Sequence, residues 1–258
     1  MKLSRFFAAC AAYVLMSSAG YALPIIYVDG GDHYGNYQAQ LTALGYGYTT
    51  FNAYDNTQWG VALANADVIL VGERSGIATM TSAATRTALS SFVSGGGAFI
   101  GHTPWSYTGS MSTFVNASFG TSLMPGASGC ASLNTDMLNG AAAAGTAFAG
   151  GPATLDDPSC TASLTSASVA ASSMTSIYSD AAATSVAVGD YGQGRFAVLG
   201  WDFCVVCANA QDVANWTEVL GRTIRYVDQG VSVPEPASLA LIGLALVGLR
   251  VTRRRVSA

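Results

Sequence analysis

The chain contains two histidines, His33 and His102. Each follows a short apolar run, and so do Asp29, Asp32, Glu73 and Asp202. Two imidazoles with several carboxylates make a ligand set for a divalent metal ion, and carboxylates alone suit calcium. The same residues also suit acid–base chemistry. His102 would be a general base beside Glu73 or Asp202, while Asp29, Asp32, His33 and Trp105 would contact a ligand. Neither reading has diagnostic spacing, because the chain holds no HxxxH pair and no calcium-loop pattern. A plainer reading stands beside both: Asp and Gly end strands routinely, and Glu73–Arg74 is a solvated edge. No cofactor is predicted, and a divalent metal is the one this set would accept.

A parallel sheet would bring these residues together. Pro24 to Val28 is a buried-strand run ended by Asp29-Gly30-Gly31. Gln38 to Leu44 reads as a helix with Leu41 and Leu44 on one face, stopped by Gly45. Tyr46 to Phe51 is a second strand, Trp59 to Ala64 a short helix, and Asp67 to Val71 a third strand of nearly continuous apolar character. Such continuity is expected where both sheet faces are covered. Thr81 or Ser82 caps a helix running to Val93, and Ala98-Phe99-Ile100 follows as a fourth strand. Strands alternating with helices at this spacing predict an α/β fold with a mostly parallel sheet and right-handed crossovers. Ligands of such sheets bind beyond the carboxyl ends of the strands, where the six candidates fall.

The stretch from about Gly120 to Ala183 is rich in Ala, Ser, Thr and Gly and has little periodicity. Short strands, surface loop and a low-complexity insertion are all compatible with it. Order returns at Ser185 to Gly189. Asp190 to Arg195 then reads as a hairpin turn before the strand Phe196 to Leu199, since no helix opens after its Gly-x-Gly. A closing helix, Val213 to Val227, carries Trp216, Val219, Leu220, Ile224 and Val227 on its inner face. Tyr34, Tyr37, Tyr46, Tyr48, Tyr54 and Trp59 crowd the first third, and Trp105, Tyr107 and Trp201 sit near strand ends. Exposed, these rings would form a carbohydrate platform; buried, they are core.

Lys2 and Arg5 precede an apolar segment from Phe6 to Met16, and Gly20-Tyr21-Ala22 supplies a small-x-small cleavage pattern. Residues 1–22 therefore read as a secretory signal peptide for signal peptidase and the secretion machinery. A lipoprotein reading through Cys10 leaves only Phe6 to Ala9 as the apolar segment, short of the usual length of roughly 7–15. Export leaves Cys130, Cys160, Cys204 and Cys207, an even set that favours disulfides in an oxidising compartment. Proximity in sequence favours Cys130–Cys160 and Cys204–Cys207. The other connectivities stay open, as does a redox role for Cys204-Val205-Val206-Cys207. Between residues 23 and 230, five arginines face fourteen acidic residues, a net charge of −9 against −4 for the whole chain. A phosphate-backbone ligand would be repelled, which excludes nucleic acid as a partner.

At the other end, Val233-Pro234-Glu235-Pro236 precedes an apolar run from Ala237 to Leu249 and then Arg250, Arg253, Arg254 and Arg255. This pattern resembles the PEP-CTERM sorting signal of Gram-negative bacteria. The resemblance implies an exosortase-type membrane protease as partner. It also implies transient inner-membrane anchoring by a C-terminal helix, then release to the cell surface or outside, and an association with exopolysaccharide. The arginines would stay on the cytoplasmic side. The run is shorter than the roughly 20 residues of a stable span, which suits a segment meant to be removed. The expected division is 1–22 signal peptide, 23–230 α/β domain with 120–183 as insertion or loop, and 231–258 sorting signal.

Two phrases inside the domain carry a second resemblance. Leu89 to His102, with its Ser94-Gly95-Gly96-Gly97, and Tyr191 to Gly200 look like segments of the class I glutamine amidotransferase-like superfamily, nearest by eye to ThuA-like proteins. Together they span 24 residues of the domain, and they imply a flavodoxin-like three-layer sandwich. Amidotransferases carry a cysteine nucleophile on the turn after the strand equivalent to Phe99–Ile100. This chain has Gly101-His102-Thr103-Pro104 there, without the thiolate on which the family's amide chemistry depends. Two functions follow as expectations. One is a non-catalytic surface module that binds glycan. The other is a hydrolase or metal-dependent enzyme using the strand-end crevice.

Overall fold

The computed structural model describes residues 23–30, 37–72, 74–103, 108–129, 134–157, 161–201, 203–205 and 208–229. Its first half follows the apolar runs. β1 (Ile26–Asp29) leads through α1 (Tyr37–Ala43) to β2 (Tyr48–Phe51), and α2 (Asn56–Asn65) leads to β3 (Val68–Val71). The short α3 (Ile77–Met80) and the longer α4 (Ala83–Ser94) precede β4 (Ala98–His102), after which comes α5 (Thr108–Phe119). Local chemistry sets the boundaries. The Asp55 side chain caps α2 by accepting from Thr57 N, and Ser82 caps α4 by accepting from Thr85 N. Gly45 ends the α1 turn at φ +81°, a left-handed conformation that glycine adopts without a Cβ clash.

The second half is built differently. Residues 120–183 contribute β5 (Pro125–Gly129), β6 (Thr135–Leu138), α6 (Gly140–Ala143), β7 (Thr154–Asp156), β8 (Thr161–Thr165), α7 (Ser166–Ala171) and β9 (Thr175–Ser179). β10 (Ala183–Tyr191) and β11 (Gly194–Leu199) form the expected hairpin, and α8 (Ala210–Asp228) closes the domain.

The sheet runs β2-β1-β3-β4-β11-β10-β9-β6-β7, with β8 on β10 and β5 on β8. Pairing is parallel from β2 through β11 and antiparallel in every pair beyond it. The expectation of a mostly parallel sheet is therefore corrected: the sheet is mixed, with six antiparallel pairs against four parallel ones. The cause lies in the connections. A parallel crossover takes a dozen or more residues, usually a helix. Between β5 and β10 the longest described helix is α7, Ser166–Ala171, so the chain returns by turns.

Two apolar clusters cover the sheet. Leu41 of α1 and Trp216, Val219, Leu220, Ile224 and Val227 of α8 pack on one face. Trp59 of α2, Leu89 and Val93 of α4, Phe114 of α5 and Val169 of α7 pack on the other. Helices on both faces make this a three-layer α/β/α domain. The five residues expected on the inner face of α8 are all fully buried. No described helix is long and apolar enough to cross a membrane, and the tail lies outside the described residues.

Candidate functional site

The parallel strands end together, and their last residues form one neighbourhood. Asp29 closes β1, Arg74 follows β3, His102 closes β4, and Trp201 and Phe203 follow β11. Asp32, His33, Glu73, Trp105 and Asp202 lie outside the described residues, as do Cys130, Cys160 and Cys207.

Asp29 is buried and fully engaged. Arg74 donates through Nε to Oδ2 and through Nη2 to Oδ1 at 2.8 Å, while Ala53 N donates to Oδ1 at 3.0 Å. The Arg74 guanidinium also lies 4.5 Å over the Tyr54 ring. A planar guanidinium matched to a carboxylate is the strongest pairing available for a buried charge. The pair ties β1 to the loop after β3, and Ala53 N adds the loop after β2. On the plainer reading of the sequence Arg74 is a solvated edge; the structure instead buries it against Asp29.

His102 is in the opposite situation. Its ring is fully buried, and among the described residues neither nitrogen has a hydrogen-bond partner. Burial pushes its pKa down to about 3, so the imidazole is neutral at physiological pH. Its surroundings are aromatic: the Tyr37 ring lies 4.4 Å away and the Phe203 ring 5.6 Å. Trp201 lies tilted against Phe203 at 4.9 Å, and among the described residues its own buried Nε1 has no partner. Phe203 holds φ +60°, a left-handed conformation that costs a non-glycine residue on the order of 1–3 kcal/mol. The next residue, Cys204, is buried and disulfide-bonded. Gly72, at the end of β3, makes room for the Tyr37 ring, which a methyl group there would strike.

The turn after β4 can be assessed directly. Thr103 is fully buried, and its Oγ1 donates to Ala162 O at 2.8 Å and Leu199 O at 3.2 Å. That hydroxyl locks β4 to β8 and β11 and is not presented to solvent. The aromatic platform resolves in part: Tyr37, Tyr46, Trp59 and Trp201 are core, while Tyr48 on edge strand β2 is exposed. Among the described residues, no three His, Cys, Asp or Glu side chains converge to hold a metal.

The two glycine-rich phrases meet at the other end of the strands. The Gly192 and Gly194 turn packs on the C-terminal end of α4, with Gln193 N donating to Ser94 O at 2.9 Å. A Cβ on Gly194 would run into the carbonyls of Val93 and Gly97, and one on Gly192 into Ser94. These glycines allow close backbone approach and belong to the scaffold, not to the site.

Comparison with known proteins separates address from fold. The PEP-CTERM protein-sorting motif matches residues 232–255. It marks an exported protein that is sorted by an exosortase and transiently anchored through its C-terminus. No curated protein matches the chain. Among solved structures, the domain is similar to a cytoplasmic protein from Salmonella typhimurium, with 11% identity, TM-score 0.57, and 80% of this chain and 99% of that chain covered. It is similar to the mmIFT52 N-terminal domain at 13% identity and TM-score 0.56, over 78% of this chain and 96% of that one. A ThuA-like protein from Bacteroides uniformis gives 12% identity and TM-score 0.51, over 80% of this chain and 94% of that one. At these identities the likeness defines the fold alone: a flavodoxin-like α/β core.

Proposed function

We propose that this protein is a non-catalytic module, sorted through its tail to the cell surface or extracellular matrix, where its strand-end crevice binds glycan such as exopolysaccharide. One observation carries the reading. At the turn where amidotransferases hold a thiol, this chain has Thr103 with its hydroxyl locked into two backbone carbonyls. The adjacent His102 reinforces it. An imidazole with a pKa of about 3 is a weak proton acceptor at neutral pH, where a general base works best with a pKa near the operating pH.

The test uses the full chain expressed with its export signals and collected after processing. Affinity electrophoresis in exopolysaccharide gels should retard it, and a panel of ester, amide and glycoside substrates should show no turnover. Removing residues 232–258 should change its fractionation, and unchanged fractionation would sink the sorting assignment.

The second reading is a hydrolase or metal-dependent enzyme built on Asp29, His33, Glu73, His102 and Asp202. The nitrogens of His102, unpartnered among the described residues, support it, since neutral imidazole is a common metal ligand. Turnover or stoichiometric metal in the wild type, lost in a folded His33→Ala/His102→Ala variant, would establish this reading in place of the first.

A further inference from the structure

β6 and β7 form an antiparallel ribbon at the edge of the sheet, joined to the rest through β9. Asp136 sits opposite Leu155, and pairing continues one step past β7, where Asp157 N donates to Asn134 O at 2.9 Å. Side chains alternate faces along a strand, so Asp136 and Asp157 are diagonal neighbours on one face. On the other flank, the β6–β9 register brings Asp180 opposite Asp136. Three carboxylates thus come from three adjacent strands.

Two of them are buried: Asp136 is 0% exposed and Asp157 is 2% exposed. Asp136 uses Oδ2 to accept from Ser185 N at 3.2 Å and from the Ser185 hydroxyl. Its Oδ1, and Oδ1 of Asp157, have no partner among the described residues. Asp180 accepts through Oδ1 from Ala182 N and Ala183 N, and Asp156 accepts from the Thr135 hydroxyl. On α8, which packs against β7, the charged groups are Asp212, Glu218, Arg222, Arg225 and Asp228. Arg222 is committed to the carbonyls of Ala147, Ala149 and Gly150 and to Glu218, and Arg225 bonds Tyr46. No described cation contacts either buried carboxylate.

Two adjacent carboxylates without a counter-charge do not both ionise. We infer that Asp136 and Asp157 share one proton at neutral pH, and that its loss loosens the β6–β7 ribbon from the sheet. Burial, then the charges of Asp136, Asp180 and Asp156, lifts the Asp157 carboxyl to about 8. Burial likewise raises Asp136. A carboxyl raised on folding contributes stability that is complete below the ordinary carboxylate pKa and is lost as pH rises through about 8. Opening would expose Leu155 and break the bond from Trp216 Nε1 to Asp156 O, 2.9 Å.

The test is amide hydrogen exchange across β6 and β7 in the processed protein from pH 6 to 9, corrected for intrinsic exchange. Protection should fall by up to about tenfold per pH unit, the limit for one linked proton. It should stay flat in Asp157→Asn, which cannot ionise. Carbon-13 NMR of the aspartate carboxyls tests the wild type without any variant. One of the two should titrate above pH 6.5, and titration of both below pH 5 would overturn the inference. Parallel exchange profiles for wild type and Asp157→Asn would overturn it too. So would full ribbon protection by millimolar calcium at pH 8, which would make the cluster a cation site.

Discussion

Asp29 and Asp157 are both carboxylates carried to the end of a strand and shut away from water, yet the fold treats them in opposite ways. Asp29 meets a guanidinium in a two-pronged contact and a backbone N–H. Asp157 has no described cation against it, and burial, then the charges of Asp136, Asp180 and Asp156, lifts its carboxyl to about 8. The difference follows the two halves of the sheet. In the parallel half, the loop after β3 delivers Arg74. In the antiparallel half there is no such partner to deliver, since no arginine lies between Arg86 and Arg195. Burial alone therefore does not define a carboxylate's role; the partner within reach does.

Removing the guanidinium breaks the comparison most severely. Arg74→Met strands a buried charge and should destabilise the domain by about 3–5 kcal/mol in denaturant unfolding. Asp157→Asn should act with the opposite sign, raising the unfolding midpoint at pH 8 and above. A result in which both variants destabilise equally at that pH would erase the distinction.

The pH profile sharpens it. Asp157 contributes stability at acid pH that fades as pH rises through about 8. His102 does the reverse. Its pKa falls from 6.5 to about 3 on folding, so the unfolded chain binds the extra proton and stability drops as pH falls below 6.5. Urea midpoints should therefore peak on the weakly acidic side, with the alkaline limb absent in Asp157→Asn and the acid limb flattened in His102→Leu. At pH 7, His102→Leu should change stability by no more than about 1 kcal/mol, because it removes two unpartnered polar atoms along with the ring. Another variant tests the aromatic lining. Gly72→Ala should cost about 1–3 kcal/mol by pressing on Tyr37, read as a lowered melting temperature.

The parts that were legible in the sequence share one property: they depend on local pattern. Val68-Ile69-Leu70-Val71 reads as a buried strand because four apolar residues in a row suit little else. Trp216 to Val227 reads as a helix face from its spacing, and the Gly192 turn from the residues beside it. The Asp29–Arg74 pair spans 45 positions, and no local rule connects the two residues. The Asp136–Asp157 pair needs the ribbon register, which composition hides within an Ala/Ser/Thr/Gly stretch. α5 escaped notice because Thr108–Phe119 has no charged residue and only a weak apolar stripe. The glycine phrases stood out in the sequence, but their contact lies across the hairpin and α4.

The direction in which α8 runs sets the place where the sorting signal leaves the domain. The helix starts beside the Phe203 segment and finishes at the opposite end of the strands, where Tyr226 O receives Arg195 Nη1 at 3.0 Å. It ends at Asp228, and the sorting motif begins at residue 232. The sorting signal therefore leaves the domain from the N-terminal rim of the sheet, opposite the rim that bears His102.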